Sequence, residues 1–391
     1  MKFSLLLAFV GCAVATQLAI GNADSQRPMI VSYPGFDLDL NELRLVQLEG
    51  QEPVWMTELE KINLKAEGVH FFDVTDTPDL GSSAHLRSAV KPVYASLNHS
   101  DVIRPILKTL STDGPKENLK EFTSFRTRYY RSDTGRQSQQ WLLSRISEIT
   151  TQYAPKALQD QIAINEFPHA WGQNSIIVRI NGSSATDDSV VIIGAHQDST
   201  NMWPFLPAPG ADDDGSGSVT ILESYRALIA ADFRPVRPVE FHWYSAEEGG
   251  LLGSAAIAKA YEARSANVHA MSQFDMTAWV KRGTREEVGV ITDYVDPSLT
   301  EFNKKLVQEY LDIPYVETEC GYACSDHASW AKAGYPSIFT IESTFGNSNK
   351  NIHSANDRYD ISPEFSFSHM LEFSKLAVAF AVELAGWTKK D

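Results

Sequence analysis

From about residue 174 onward, short apolar runs alternate with longer stretches in which apolar residues recur at helical spacing. Residues 174–180, 189–194, 239–245, 268–274, 287–292 and 336–341 are too short for ordinary helices and nearly continuous in apolar side chains, as strands buried on both faces require. Between them, residues 216–231 place Ile221, Tyr225 and Leu228 at i, i+4 and i+7, and 252–264, 296–311 and 365–384 follow the same period. Strands alternating with helices predict a mostly parallel central sheet flanked by helices on both faces. Upstream, 119–130 and 138–153 read as helices, the second with Trp141, Leu142, Ile146 and Ile149 on one face. Residues 87–391 are therefore expected to form a single α/β domain.

The beginning of the chain is patterned differently. Residues 1–15 combine Lys2, an apolar run from Phe3 to Val10 and Ala13-Val14-Ala15, the layout of a secretory signal peptide and shorter than the ~20 residues a membrane span needs. Residues 54–67 read as helical, an apolar run covers 69–74, and Gly81-Ser82-Ser83 breaks the pattern. Residues 16–86 hold twelve acids against four bases, a net charge of −8 and half of the −16 of the whole chain. This contrast predicts an acidic pro-segment, removed on maturation.

The acid excess leaves no general basic surface for nucleic acid, and no membrane partner is expected. Three cysteines exclude thiolate metal scaffolds. Cys12 would leave with the signal, and in an oxidising compartment the remaining Cys320 and Cys324 are expected to pair, closing a small loop in which Gly321 can take an unusual backbone angle. Sequons at Asn98 and Asn181 fit an exported, surface-glycosylated protein.

Polar residues gather where predicted strands end: His196-Gln197-Asp198, Ser245-Ala246-Glu247-Glu248 and Asp275-Met276-Thr277. In open α/β sheets, that carboxyl edge is where function collects. A further cluster, Asp212-Asp213-Asp214, precedes a helix, and three adjacent carboxylates repel unless a cation neutralises them. Imidazole with carboxylates and no thiolate suits catalytic zinc, and the number of ligands permits two ions. The second histidine is open at this level: His353 stands in a polar context and His327, in Ser325-Asp326-His327, competes with it.

Taken in order, His196-x-Asp198, Gly210-Ala211-Asp212-Asp213-Asp214, Ala246-Glu247-Glu248, Asp275-Met276-Thr277, Cys320-Gly321-Tyr322-Ala323-Cys324-Ser325-Asp326-His327 and Ile352-His353 resemble the secreted two-zinc leucine aminopeptidases of fungi and bacteria. The resemblance covers about residue 87 to the C-terminus, and Phe71-Phe72-Asp73-Val74-Thr75 looks like that family's prosegment. It implies two zinc ions, one on His196 and Asp275, the other on Glu248 and His353, with Asp213 between them. It further implies that Asp198 orients His196, and that Glu247 activates a water bridging the zinc ions for attack on the N-terminal peptide bond. Tyr322 would hydrogen-bond the tetrahedral intermediate, and the peptide between Asp213 and Asp214 would be cis.

The same resemblance implies an apolar pocket for leucine or another bulky first residue, in stretches carrying Met276, Ile291, Phe339, Ile341, Phe345 and Ile352. The expected protein is a secreted, extracellular monomer acting on peptides with a free N-terminus. The rival readings are a carboxypeptidase or single-zinc glutaminyl cyclase of the same fold, and a non-catalytic binding module that keeps the scaffold.

Overall fold

A computed structural model describes residues 29–88 and 92–388. The expected signal peptide and the start of the expected pro-segment lie outside the described residues.

The main body is an eight-stranded sheet. Its strands are β6 (Ile162–Phe167), β7 (Ser175–Ile180), β8 (Val190–His196), β9 (Val239–Tyr244), β10 (Val268–Phe274), β11 (Val288–Ile291), β12 (Tyr315–Thr318) and β13 (Ser337–Ile341), in the order β12-β11-β13-β10-β8-β9-β7-β6. β10, β8 and β9 run parallel in the middle, as do β10 with β13 and β11 with β12, while the β7 side turns antiparallel.

Side-chain alternation along β8 shows how one strand serves two cores. Val191, Ile193 and Ala195 pack with the helices Gly217–Ala230 and Phe367–Ala385, while Val190 and Ile192 pack against Leu252–Ala263 on the other face. Each such fully buried aliphatic contributes about 1.5–3 kcal/mol. Gly194 has no alternative: a Cβ there would stand 2.6 Å from the Tyr244 ring. Six expected strands are present, and two more, β6 and β12, are the edges of the sheet, where short, half-exposed sequences give a weak apolar signal.

Two expectations need correction. The helix predicted over 119–130 runs instead from Asp113 to Phe122, and Tyr129 and Tyr130 belong to a loop, buried with the N-terminal segment. The stretch 54–67 divides: Val54–Thr57 is a strand and the helix is Glu58–Ala66, started by a capping box in which the Thr57 hydroxyl accepts from Glu60 N–H and the Glu60 carboxylate accepts from Thr57 N–H.

That segment folds as a layer of its own. β1 (Ile30–Tyr33) pairs with β2 (Phe36–Asp39), and β3 (Leu43–Leu48) lies between β4 (Val54–Thr57) and β5 (Phe71–Asp73). Arg44 and Lys61 are buried around Asp73, at 2.7 and 3.0 Å, so the scarce cations of an acidic segment form its interior.

Candidate metal centre

Because β10, β8 and β9 are parallel neighbours, their carboxyl ends share one edge, and His196, Asp275 and the Glu247-Glu248 pair emerge there together. Asp213 arrives from the turn before the helix Gly217–Ala230, and His353 from a loop. His196 Nε2 lies 3.1 Å from Asp213 Oδ1 and 3.6 Å from Asp275 Oδ2. His353 Nε2 lies 3.1 Å from Asp213 Oδ2 and 3.0 Å from Glu248 Oε2. The two oxygens of Asp213 thus face different histidines, and all five expected ligands converge. Two groups have ligand atoms within 4.8 Å of one another: His196, Asp214 and Asp275, and Asp213, Glu248 and His353.

The three consecutive acids divide the work. Asp214 is consumed as a brace: it accepts from the backbone N–H of His196, Gly217 and Met276. Asp212 accepts from Ala278 N–H and the Asn349 amide. Of the three, Asp213 is the one whose oxygens face both histidines, and the peptide between Asp213 and Asp214 is cis, as the resemblance implies. By accepting from Gly217 N–H, Asp214 Oδ1 also ties the cluster to the first turn of the following helix.

Asp198 reaches two parts of the site. Its Oδ1 lies 3.4 Å from His196 Nδ1, and its two oxygens accept from the backbone N–H of Glu247 and Glu248. Sequence reasoning missed other supports: Ser325 Oγ donates to Asp275 Oδ2 at 2.6 Å, and the Asp357 carboxylate accepts from both Asp212 and Asp213 N–H at 3.0 Å. No motif marks Asp357. His327, the rival ligand, is buried beside Phe339 with neither ring nitrogen partnered and belongs to neither group; burial drives its pKa down to about 3.

The electrostatics are those of crowded acids. Burial works against the charged form of His196, yet Asp275, Asp198 and Asp213 raise its pKa well above the ordinary value. Burial also opposes His353, which Glu248 and Asp213 nevertheless push up to about 9. Burial raises the pKa of Glu247 well above the usual range, Glu248, Asp326 and Asp275 adding to it and His196 opposing. Buried Glu248 Oε1 and Asp275 Oδ1 have no hydrogen-bond partner. Unpaired carboxylate oxygens beside two imidazoles, with no sulfur among them, are a donor set that fits zinc.

Glu247 and Glu248 part company: Glu248 joins His353, while Glu247 belongs to neither ligand group and lines the cavity. That cavity, about 380 Å³, is also lined by Tyr322 and by Met276, Phe339, Ile341, Phe345 and Ile352. Ile291 is fully buried in the same apolar cluster without lining the cavity. Cys320 and Cys324 are joined by a disulfide, with Gly321 at φ 84° in the loop they close. Burial raises the Tyr322 pKa, and Glu247 and Asp213 raise it further, so its hydroxyl keeps its proton.

The N-terminal segment forms part of the wall of this cavity. Lys65, Gly68, Val69, His70 and Phe71 line it; Lys65 Nζ donates to Glu248 Oε2 at 2.5 Å and to the Glu248 carbonyl at 3.1 Å. His70 stacks on Tyr322 with ring centroids 3.3 Å apart, and Asp73 N–H donates to the Gly250 carbonyl. One signal was available in the sequence: Lys61 and Lys65 stand one helical turn apart as the only bases of the expected helix.

Comparison with known proteins agrees with this geometry. The sequence profile described as Peptidase family M28 matches residues 175–376. A leucine aminopeptidase 1 of Colletotrichum graminicola is 49% identical over 354 residues, covering 88% of this chain and 86% of that protein. Another, of Penicillium rubens, is 46% identical over 398 residues, covering 98% and 99%. Among solved structures, the LapA aminopeptidase of Legionella pneumophila is 30% identical with a TM-score of 0.76, covering 88% of this chain and 94% of that one.

Proposed function

The chain belongs to peptidase family M28 and is a zinc-dependent aminopeptidase, and we propose that it removes leucine and other bulky apolar residues from the free N-termini of peptides at a two-zinc centre. In this reading His196 and Asp275 would hold one ion, Glu248 and His353 the other, and Asp213, whose oxygens face both histidines, would be shared by the two. Zinc bound there supplies a Lewis acid for the scissile carbonyl and lowers the pKa of the attacking water towards neutrality.

The observation that carries the mechanism is the separation of Glu247 from Glu248. Glu247 faces the cavity outside both ligand groups, and burial among acids raises its proton affinity. It takes the proton of the attacking water and returns it to the leaving amine. Tyr322, on its disulfide-closed loop, donates to the oxygen that gains charge. Met276, Phe339, Ile341, Phe345 and Ile352 receive the apolar first side chain, backed by Ile291.

The segment ending near residue 86 acts as a removable inhibitor in this proposal, because Lys65 and His70 occupy the approach to Glu248 and Tyr322. Export is supported by the disulfide, by sequons at the exposed Asn98 and Asn181, and by the expected signal peptide. No helix among the described residues is long and apolar enough to cross a membrane. The enzyme is expected to work as a monomer.

Hydrolysis of a leucyl chromogenic amide, before and after zinc chelation and re-addition, tests the activity; two zinc ions by elemental analysis are expected, and one would favour the glutaminyl cyclase-like alternative. N-terminal sequencing of the active form tests the leader. A fully active chain beginning at Thr16 would overturn that part, and a monodisperse monomer in size-exclusion chromatography is the expected state.

A further inference from the structure

Arg128 is fully buried, and its guanidinium makes its hydrogen bonds to backbone carbonyls rather than to carboxylates. Nε donates to Gln197 O at 2.8 Å, Nη2 to Gly210 O at 2.8 Å, and Nη1 to Pro209 O. Gln197 sits between His196 and Asp198; Pro209 and Gly210 lead into Asp212, Asp213 and Asp214. One planar fork therefore pins both loops that meet at the bridging carboxylate.

The packing around it is specific. Gly210 has φ 56°, and a Cβ there would stand 3.0 Å from Arg128 Nη2 and 2.4 Å from Ser199 Cβ, so the guanidinium lies against bare backbone. The Phe122 ring covers it, with the centroid 4.2 Å from Cζ. A second link runs alongside: Arg128 N–H donates to Ser199 Oγ, which donates to Ala208 O. The Arg128 carbonyl accepts from Gln173, so the residue is held from behind as well.

A buried cation without a contacting carboxylate is costly unless other charge offsets it. Burial draws the guanidinium pKa down to about 10, while Asp357, Asp198, Asp214 and Asp213 pull it the other way. The offset comes from the acids of the metal centre itself. A cation in reach of four of those acids lessens their mutual repulsion, and the carbonyl fork fixes their spacing.

We propose that Arg128 is a positioning residue for the metal centre: by clamping the Gln197 and Pro209-Gly210 carbonyls it sets the distance between His196 and Asp213, and zinc affinity depends on it. The inference rests on the two-zinc reading above. Arg128 precedes the residues 175–376 matched by the family profile. Lysine carries the charge but lacks the fork, and so cannot hold both loops.

Three forms of the full chain test this: parent, Arg128→Lys and Arg128→Met. Zinc affinity is read by competition with a chromophoric chelator, and the cobalt-substituted proteins by their visible absorption bands. Arg128→Met is expected to bind zinc about 10–100-fold more weakly, the range found when supports of metal ligands are removed. Arg128→Lys should recover part of that loss while keeping a shifted cobalt spectrum, with kcat falling and KM nearly constant. If Arg128→Met does not fold, Arg128→Lys decides.

A variant that melts lower without metal yet keeps parental zinc affinity and cobalt bands would show a merely structural residue and overturn the proposal. Failure of the two-zinc reading is separable, because it appears as fewer than two zinc ions in the parent.

Discussion

The two halves of the metal centre differ in what they are built on. His196 and Asp275 end neighbouring parallel strands, and both are braced by buried groups, His196 by Asp198 and Asp275 by Ser325. Glu248 and His353 lie on loops, the His353 side chain is 25% exposed, and Glu248 is the one the N-terminal Lys65 reaches. A sheet fixes spacing through many hydrogen bonds at once, whereas a loop takes its spacing from whatever it touches. The first half is therefore set by the fold. The second takes its spacing from its contacts, Lys65 among them.

The largest expected effect would separate chemistry from both halves. Glu247→Gln should lower kcat about 10²-fold or more while both zinc ions stay bound. Loss of zinc from either half in that variant would place Glu247 among the ligands and erase the distinction. Next comes a supporting residue that reaches both halves, beside His196 and under Glu248. Asp198→Ala should weaken zinc binding about 10–100-fold, and chelator competition should show both ions affected rather than one.

A smaller effect is expected at the leader. Lys65→Met removes a charge-assisted hydrogen bond to Glu248, so the uncleaved chain should gain about tenfold in basal activity. Assay on a leucyl amide checks this, and equal activity with and without Lys65 would show that the contact does not restrain the second half.

The smallest effect is set by pH. Burial would raise the Asp73 pKa, but Lys61 and Arg44 hold it below its ordinary 3.8. Its contribution is complete above that value and is lost as pH falls through the lower folded value. Protection from hydrogen exchange across residues 43–73, taken relative to the intrinsic rate at each pH, should be unchanged from about pH 7 to 5 and fall below about pH 4.

What the sequence discloses follows the same division. Strands buried on both faces announce themselves as apolar runs, so β7 to β11 and β13 were legible, and with them the polar residues at their ends. Edge strands β6 and β12 were not, because half-exposed positions carry mixed residues. Position 54–67 misled because strand and helix adjoin without a break, and only the capping box Thr57-x-x-Glu60 marks the change. The ligands were legible through resemblance, since residue types and order are what a motif preserves. The supports from Asp357, Ser325 and Asn349 were not, because a brace is defined by which backbone N–H or carboxylate it meets across the fold. The leader showed a further gap between composition and contact. Its composition reads as acidic, yet the side chains it sends to the Glu248-Gly249 stretch are Lys61 and Lys65, two of its few cations.

The clasp between Cys320 and Cys324 carries a separate implication. No ligand of the centre is a thiol, so sulfur chemistry and zinc chemistry do not share an atom. A mild reductant that leaves zinc in place would then loosen the loop that bears Tyr322 and leads into Ser325, and should lower turnover at constant metal content. Re-oxidation should then restore the rate without added zinc, because what was lost is the shape of a loop and not a ligand.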